Sequence, residues 1–229
     1  MINKTTNRRF SLAIVCLIFF VLVQLYQFSL RFILPVEQDP YQQLIQRGFT
    51  LNHIRYLLIL LSIFGLLISY TVICVIHITR DKYFSIIALL FFLIFCFFEI
   101  LYRSAEYFLV IKKWIPMIIM NPNSQIASDY VYRVQLFDAS VSALYFPLLF
   151  CHLCGSLFLF LTIRKINNAY NILLKIAMVI NIIRIIPRLF NYYLESSGLA
   201  QINHYLFFPT ISLVFIFQIF YLLRIRKTL

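Results

Sequence analysis

Long runs of apolar residues, separated by short polar segments, dominate the pattern of this chain. Six such runs lie at residues 11–35, 56–75, 84–102, 137–163, 170–190 and 205–223. A helix needs about 20 mainly apolar residues to cross the hydrocarbon core of a bilayer, which is about 30 Å thick. The runs also lack the alternating pattern of membrane β-strands. The pattern therefore predicts an all-α fold, a polytopic membrane helix bundle with six transmembrane helices.

The composition agrees with a chain that lies mostly within a membrane. Hydrophobic residues make up 62% of the 229 residues, well above the share of about 45–50% that is usual in soluble domains. The six runs leave little chain for a separate soluble domain. We therefore expect residues 1–229 to form a single integral membrane domain that is surrounded by lipid.

Charged residues are distributed unevenly between the two ends of the predicted helices. Basic residues flank the ends that share one side: Lys4, Arg8, Arg9, Arg80, Lys82, Arg164, Lys165, Arg224, Arg226 and Lys227. Seven of the eight acids lie toward the other side: Glu37, Asp39, Glu99, Glu106, Asp129, Asp138 and Glu195. Because short loops rich in Lys and Arg stay in the cytoplasm, we expect both termini to be cytoplasmic. The net charge of +12 then serves orientation and contact with anionic lipid, not nucleic-acid binding.

The stretch 103–120, which follows the third run, has three interpretations. It extends the third helix beyond the lipid, lies at the interface with Tyr107 and Trp114 as anchors, or forms a re-entrant element. Pro116 and Asn121 end whatever helix it contains.

Polar residues inside the apolar runs recur at helical spacing. In the fifth run Asn181, Arg184 and Arg188 share one helix face, and Glu99 and Arg103 do so at the end of the third run. Similar stripes occur in the fourth run (Asp138, Ser142, Tyr145, His152 and Ser156) and in the first (Gln24, Gln27 and Arg31). This arrangement predicts a polar seam inside the bundle, in the outer half of the membrane.

The charges in this seam need partners, because an unpaired charge at the membrane centre costs about 2.5–3.5 kcal/mol on insertion scales. We expect Glu99 to pair with Arg184 or Arg188, and Asp138 to complete the cluster. The cluster is either a dry structural network or a site for a small polar or anionic ligand that enters from the outer side. Arginine suits a carboxylate or a phosphate. The candidate ligand-binding residues are Glu99, Arg103, Asp138, Asn181, Arg184 and Arg188.

The segment Cys151-His152-Leu153-Cys154 has the ligand types of a redox or metal site. Two cysteines three positions apart on a regular helix are too far from each other for an unstrained disulfide, and no second Cys/His cluster accompanies them. The sequence also contains no familiar catalytic motif. We therefore assign no metal, no cofactor and no catalytic residue.

Two segments resemble those of a known family. Tyr102-Arg103-Ser104-Ala105-Glu106-Tyr107, at the end of the third run, resembles an Arg-x-x-Glu-Ala pattern at a similar place in some bacterial six-pass proteins. The run 146–160 with the basic turn Thr162-Ile163-Arg164-Lys165 is similar to their fourth helix and the turn after it. These proteins form the domain of unknown function 4386 family. After Lys165 the chain has Asn167-Asn168-Ala169 where that family has a turn with Pro and Gly. The resemblance implies a six-helix fold in a bacterial cytoplasmic membrane, and the family has no established activity.

Three functions fit these features. The first is a non-catalytic sensing, binding or accessory membrane protein that uses the polar seam. The second is a small transporter or permease component, acting as a homo-oligomer, although the chain lacks inverted repeats and a matching pair of broken helices. The third is an intramembrane enzyme with Glu99 or Asp138 as general base, which requires an acid that is not locked to arginine.

Overall fold

The structure is a computed structural model that describes residues 4–34, 37, 39–122, 124–164, 168–194 and 197–228. Nearly all of these residues are helical, and none of them lies in a strand. The predicted all-α class is therefore confirmed. Glu195, which was counted among the outer acids, and Lys165 and Asn167, which belong to the family resemblance, lie outside the described residues.

Eight α-helices and one π-helix make up the described chain. In chain order they are α1 (Lys4–Ile33), α2 (Pro40–Arg47), α3 (Thr50–Ile78), α4 (Lys82–Ala105), a π-helix (Glu106–Trp114), α5 (Ile115–Met120), α6 (Gln125–Ile163), α7 (Ala169–Leu194) and α8 (Ser197–Thr228). Side-chain caps fix three of the helix starts. Asp39, Asp81 and Ser124 accept the backbone N–H groups of Tyr41, Phe84 and Ala127, at 3.0, 3.2 and 3.1 Å.

Within the described residues, five helical segments are long and apolar enough to cross a membrane. They are Asn7–Ile33, Thr50–Ile78, Lys82–Met120, Gln125–Ile163 and Leu206–Lys227. This makes the chain a membrane-embedded helical protein. The fifth predicted span, at residues 170–190, falls in α7, which has 26 residues but is not among these five segments and carries Lys175, Arg184 and Arg188.

The six long helices form a closed ring. Each of α1, α3, α4, α6, α7 and α8 packs against the next in that order, and α1 closes the ring by packing against α8. A large apolar cluster with contributions from all six fills the ring. Helices α1 and α3 approach closely at Gly65, because glycine has no side chain there. A Cβ at position 65 would lie only 3.1 Å from the Cβ of Cys16.

Both ends of the described chain lie at the same end of this ring. The Nε atom of Arg226, near the end of α8, donates a hydrogen bond of 2.6 Å to Oδ1 of Asn7, near the start of α1. The short helix α2 and the α5–α6 turn lie at the opposite end.

Residues 103–120 continue the third span, which is the first of the three interpretations. The chain passes from α4 through the π-helix into α5 without a break, and the N–H of Ile115 bonds to the carbonyl of Val110, five residues earlier. The 39 residues from Lys82 to Met120, like the 39 of α6, form a helix about 58 Å long at 1.5 Å per residue. This exceeds the roughly 30 Å of hydrocarbon, so both helices extend beyond it.

A second apolar cluster occupies this extension. Its buried members come from α2, α3, the π-helix, α5 and α6: Leu44, Tyr56, Tyr107, Val110, Ile111, Ile115, Ile118 and Val134. The cluster therefore fixes α2 over the end of the ring, where α2 borders the site described next.

Candidate functional site

A wide cavity, which we call the vestibule, lies between α1, α2, α3 and α8 at the end of the ring opposite the chain termini. Its volume is about 680 Å³. Its polar lining consists of Gln24, Gln27, Arg31, Glu37, Gln43, Gln46, Arg47, Asn52 and Arg55. With three arginines and one acid, this lining is amide-rich and positively charged.

A smaller cavity, which we call the chamber, lies deeper in the ring. It has a volume of about 100 Å³ and shares Gln24, Gln27 and Phe207 with the vestibule, so the two cavities adjoin. Its polar lining also includes Glu99, Arg103, Tyr145, His152, Arg184 and Arg188. Four of the six predicted site residues therefore surround one chamber, and the predicted polar seam passes through it.

Neutral groups hold the two arginines that α7 contributes to the chamber. Arg184 donates from Nη2 to Oδ1 of Asn181 at 2.7 Å, and its side chain is almost completely buried. The guanidinium carbon of Arg188 lies 5.0 Å from the centre of the Tyr145 ring and 4.6 Å from that of Phe207, which are cation–π distances. Within the described part of the chain, neither arginine forms a salt bridge.

The acid of the chamber is paired with an arginine of its own helix. Glu99 Oε2 lies 3.2 Å from Nε of Arg103, and Nη1 of Arg103 lies 2.8 Å from Oε2 of Glu106. The expected pairing of Glu99 with Arg184 or Arg188 is therefore wrong. Positions four apart on one helix already bring a carboxylate and a guanidinium together, without any interhelical fit.

Asp138 also has a different partner from the expected one. It accepts two hydrogen bonds from Arg47 of α2, at 3.1 and 2.8 Å, and so does not complete a cluster with Glu99. Burial lowers the pKa of the Arg47 guanidinium, but the hydrogen bond that it donates to Asp138 and the neighbouring negative charges raise it, and the net pKa lies above its ordinary value. This bidentate pair ties α2 to α6 at the rim of the vestibule.

A buried hydrogen-bonded network continues from Arg184 into the ring. The amide nitrogen of Asn181 lies 3.0 Å from Nε2 of His152 and donates to Oγ of Ser156 at 2.7 Å. The hydroxyl of Tyr70 lies 2.9 Å from the same Nε2 atom. Ser156 in turn donates to the carbonyl oxygen of His152 at 2.9 Å. Asn181 thus joins Arg184, which lines the chamber, to the buried His152.

Aromatic rings enclose this histidine. Phe95 stacks on the His152 ring with 4.2 Å between the ring centres, and Tyr70 stacks on Phe92 at 3.9 Å. The neighbouring Cys151 and Cys154 are both free thiols. Among the residues that the structure describes, no three His, Cys, Asp or Glu side chains come together as metal ligands.

Sequence reasoning missed several residues of the site. Arg47, Asn52 and Arg55 lie between the first and second apolar runs and nothing in the pattern singled them out, and Tyr70 was one tyrosine among 15. The spacing of Gln24 and Gln27 with Arg31 did indicate the α1 side of the cavity correctly.

Chemically, the arrangement can bind an anion, because the two cavities together contain six arginines and two acids in their described lining.

Comparisons of the chain with protein-family models, with curated proteins and with solved structures found no match. The resemblance to the domain of unknown function 4386 family therefore stays a prediction.

Proposed function

We propose that this chain is a six-span integral membrane protein that binds a small anionic ligand from the outer side and has a sensing or accessory role. The observation that carries the proposal is the position of Arg184 and Arg188. Both border a chamber that adjoins a large polar vestibule, and within the described residues both contact neutral groups and neither forms a salt bridge, although Glu99 is close enough to Arg188 to attract it electrostatically. Burying charge in this way is costly, and an anionic ligand offsets the cost.

The topology in this proposal rests on the contact between Asn7 and Arg226. Five crossings would leave the two ends of the chain on opposite sides, whereas this contact brings them to one side. We therefore take α7 as the sixth span. The basic residues at the termini favour a cytoplasmic location for that side, so the vestibule faces outward. The bacterial cytoplasmic membrane and the single-domain organisation remain predictions.

A transporter or permease component is the second candidate. It is favoured by a buried polar pair in the inner half of the ring, where the hydroxyl of Tyr221 lies 2.7 Å from Nε2 of His77. Buried Asn171 and Gln218, toward the same end, have side-chain atoms without a partner in the described structure, which suits a hydrated path. The enzyme hypothesis has less support, because Arg103 holds Glu99 and Arg47 holds Asp138.

Charge-selective thiol labelling tests the proposed function. With all five native cysteines replaced, Gln27→Cys introduces a thiol where the vestibule meets the chamber, and Ser128→Cys gives an exposed control on α6. Methanethiosulfonates of similar size carrying either a sulfonate or a trimethylammonium group are applied to intact cells. One uncompensated positive charge about 8 Å away contributes roughly 0.5–2 kcal/mol, favouring the anionic reagent and opposing the cationic one.

We therefore expect the ratio of anionic to cationic labelling rates to be at least about fivefold higher at position 27 than at position 128. Arg184→Gln and Arg188→Gln should each lower the ratio. If the position-27 thiol does not react from either side of the membrane while the position-128 thiol does, the cluster is a dry structural network and the proposal fails. Labelling of both thiols only in inside-out vesicles would instead reverse the orientation.

A further inference from the structure

The orientation of the Asn181 side chain is determined by its neighbours. The guanidinium of Arg184 has only donors, so the atom that it contacts, at 2.7 Å, must be the amide oxygen. On the other side, Ser156 uses its own proton on the carbonyl oxygen of His152 and therefore accepts from the amide nitrogen at 2.7 Å. Both contacts require the same orientation of the amide.

This orientation favours one protonation state of His152. The amide nitrogen of Asn181 lies 3.0 Å from Nε2 of His152 and presents only N–H groups to it, so an unprotonated Nε2 is the form that avoids facing one N–H with another. The single lone pair of Nε2 is then shared between this N–H and the hydroxyl of Tyr70, which lies 2.9 Å away. With Arg184 bound to Asn181, these contacts therefore favour a neutral imidazole with its proton on Nδ1.

Few charged groups surround this imidazole. Tyr70 faces it from α3, the rings of Phe92 and Phe95 face it from α4, and Asn181 with Arg184 faces it from α7. The other titratable groups of the chamber are the Glu99–Arg103 pair, Tyr145 and Arg188, and Cys151 and Cys154 flank the histidine on α6 itself. The described chamber lining from α1 and α8 has no titratable group.

From this geometry we propose that the site takes up a small oxyanion together with one proton, which binds to His152. The inference rests on the proposed anion-binding function. When the anion binds Arg184, the guanidinium releases the oxygen of Asn181, and the amide turns over to present that oxygen to His152. A proton from solvent water in the vestibule then binds Nε2 and is donated to the oxygen of Asn181, while the charge of the anion offsets that of the imidazolium.

The size of the chamber indicates the class of anion. A volume of about 100 Å³ beside Arg184 has room for one small oxyanion. A sulfate, a phosphate or a short carboxylate fits within the chamber alone, whereas a nucleotide or a disaccharide would also extend into the vestibule. Sulfate is a suitable probe because it remains divalent throughout the range in which histidine titrates, so any pH dependence of its binding belongs to the protein.

The test combines binding of radiolabelled sulfate by equilibrium dialysis with ¹⁵N NMR of the histidine rings in detergent-solubilised protein. The chain has four histidines, and His152→Gln assigns the signal of interest. In wild type without sulfate we expect a neutral ring with its proton on Nδ1 at about pH 6. With sulfate at the same pH the ring should become protonated, and sulfate affinity should fall up to about tenfold per pH unit as the pH rises.

Asn181→Ala tests whether the Asn181 amide couples the proton to the anion. This variant keeps Arg184 but removes both the N–H that faces Nε2 and the oxygen that accepts the proton of the imidazolium. We expect its His152 to stay neutral without sulfate, because burial and the charge of Arg184 still oppose protonation, and its sulfate binding to depend much less on pH than that of wild type. A pH dependence as steep as that of wild type in this variant overturns the role of the amide in the inference.

The remaining outcomes separate this inference from the proposed function. Sulfate binding that does not depend on pH, with His152 neutral throughout, overturns the proton coupling and leaves anion binding intact. Absence of sulfate binding at every pH overturns the inference, and the labelling ratio at position 27 then decides the proposed function independently. Binding with a pH dependence that His152→Gln abolishes supports the inference, provided that the variant melts as cooperatively as wild type.

Discussion

The packing of Gly155 against Phe92 leads to a prediction about stability. A Cβ at position 155 would lie 2.8 Å from both Cδ1 and Cε1 of Phe92. Carbon atoms attract at about 3.5–4.0 Å with a well of about 0.1–0.2 kcal/mol, so each contact at 2.8 Å would cost roughly 4 kcal/mol without relaxation. The Phe92 ring is fully buried and stacks on Tyr70 at 3.9 Å, so it has little room to withdraw.

We expect Gly155→Ala to lower the free energy of unfolding by about 1–2 kcal/mol, since overpacking costs about 1–3 kcal/mol and alanine regains up to about 1 kcal/mol of helix propensity. Reversible unfolding in mixed micelles measures this change. Phe92→Leu, which opens space at the contact, is the matched partner for a double-mutant cycle. A variant as stable as wild type, or two substitutions whose effects simply add, would refute the packing argument.

Two further substitutions test the charges around the cavities. Asp138→Asn weakens the bidentate bond to Arg47, so we expect the free energy of unfolding to fall by at most about 1 kcal/mol. The fluorescence emission of Trp114, the single tryptophan, should shift to the red as α2 loosens, because Trp114 packs against the cluster that holds α2. Asp129→Asn, which affects only a bond to Gln125 on its own helix, is the control, and equal shifts in both variants would contradict the role of the pair. Glu99→Gln removes the negative charge of the chamber, so the labelling ratio at position 27 should rise severalfold; an unchanged ratio would mean that the chamber does not affect the vestibule.

Helix periodicity was enough to predict where the seam lies. Residues three or four apart on a helix share a face whatever the neighbouring helices are, so Asn181, Arg184 and Arg188 could be assigned to one stripe from the sequence alone. The same rule indicated Gln24 and Gln27 on α1, and both line the two cavities. The spacing of polar residues along a helix therefore predicts which of its faces lines a cavity.

The partner of each charge was not predictable in this way. Asp138 bonds to Arg47, 91 positions earlier, on a short helix in a loop whose apolar content is too low to predict any packing. Tyr70 joins the network because the rotation of α3 directs its hydroxyl toward His152. No stripe of polar residues along α3 predicts that Tyr70 faces the inside of the ring. Pairing depends on how helices rotate against one another, which is determined by contacts such as Gly65 with Cys16 that no single helix contains.

The two arginines of α7 distinguish a structural network from a binding site, and Arg188→Met tests the difference. The guanidinium of Arg188 lies between the rings of Tyr145 and Phe207. Methionine fills a similar space there and makes favourable sulfur–aromatic contacts of about 0.3–1.5 kcal/mol, without the cost of a buried charge. If Arg188 is retained to bind a ligand, the variant should unfold no more easily than wild type and should lose much of its preference for the anionic thiol reagent. If the arginine instead stabilises the bundle, Arg188→Met should unfold more easily than wild type, and an unchanged labelling preference would then exclude Arg188 from the site.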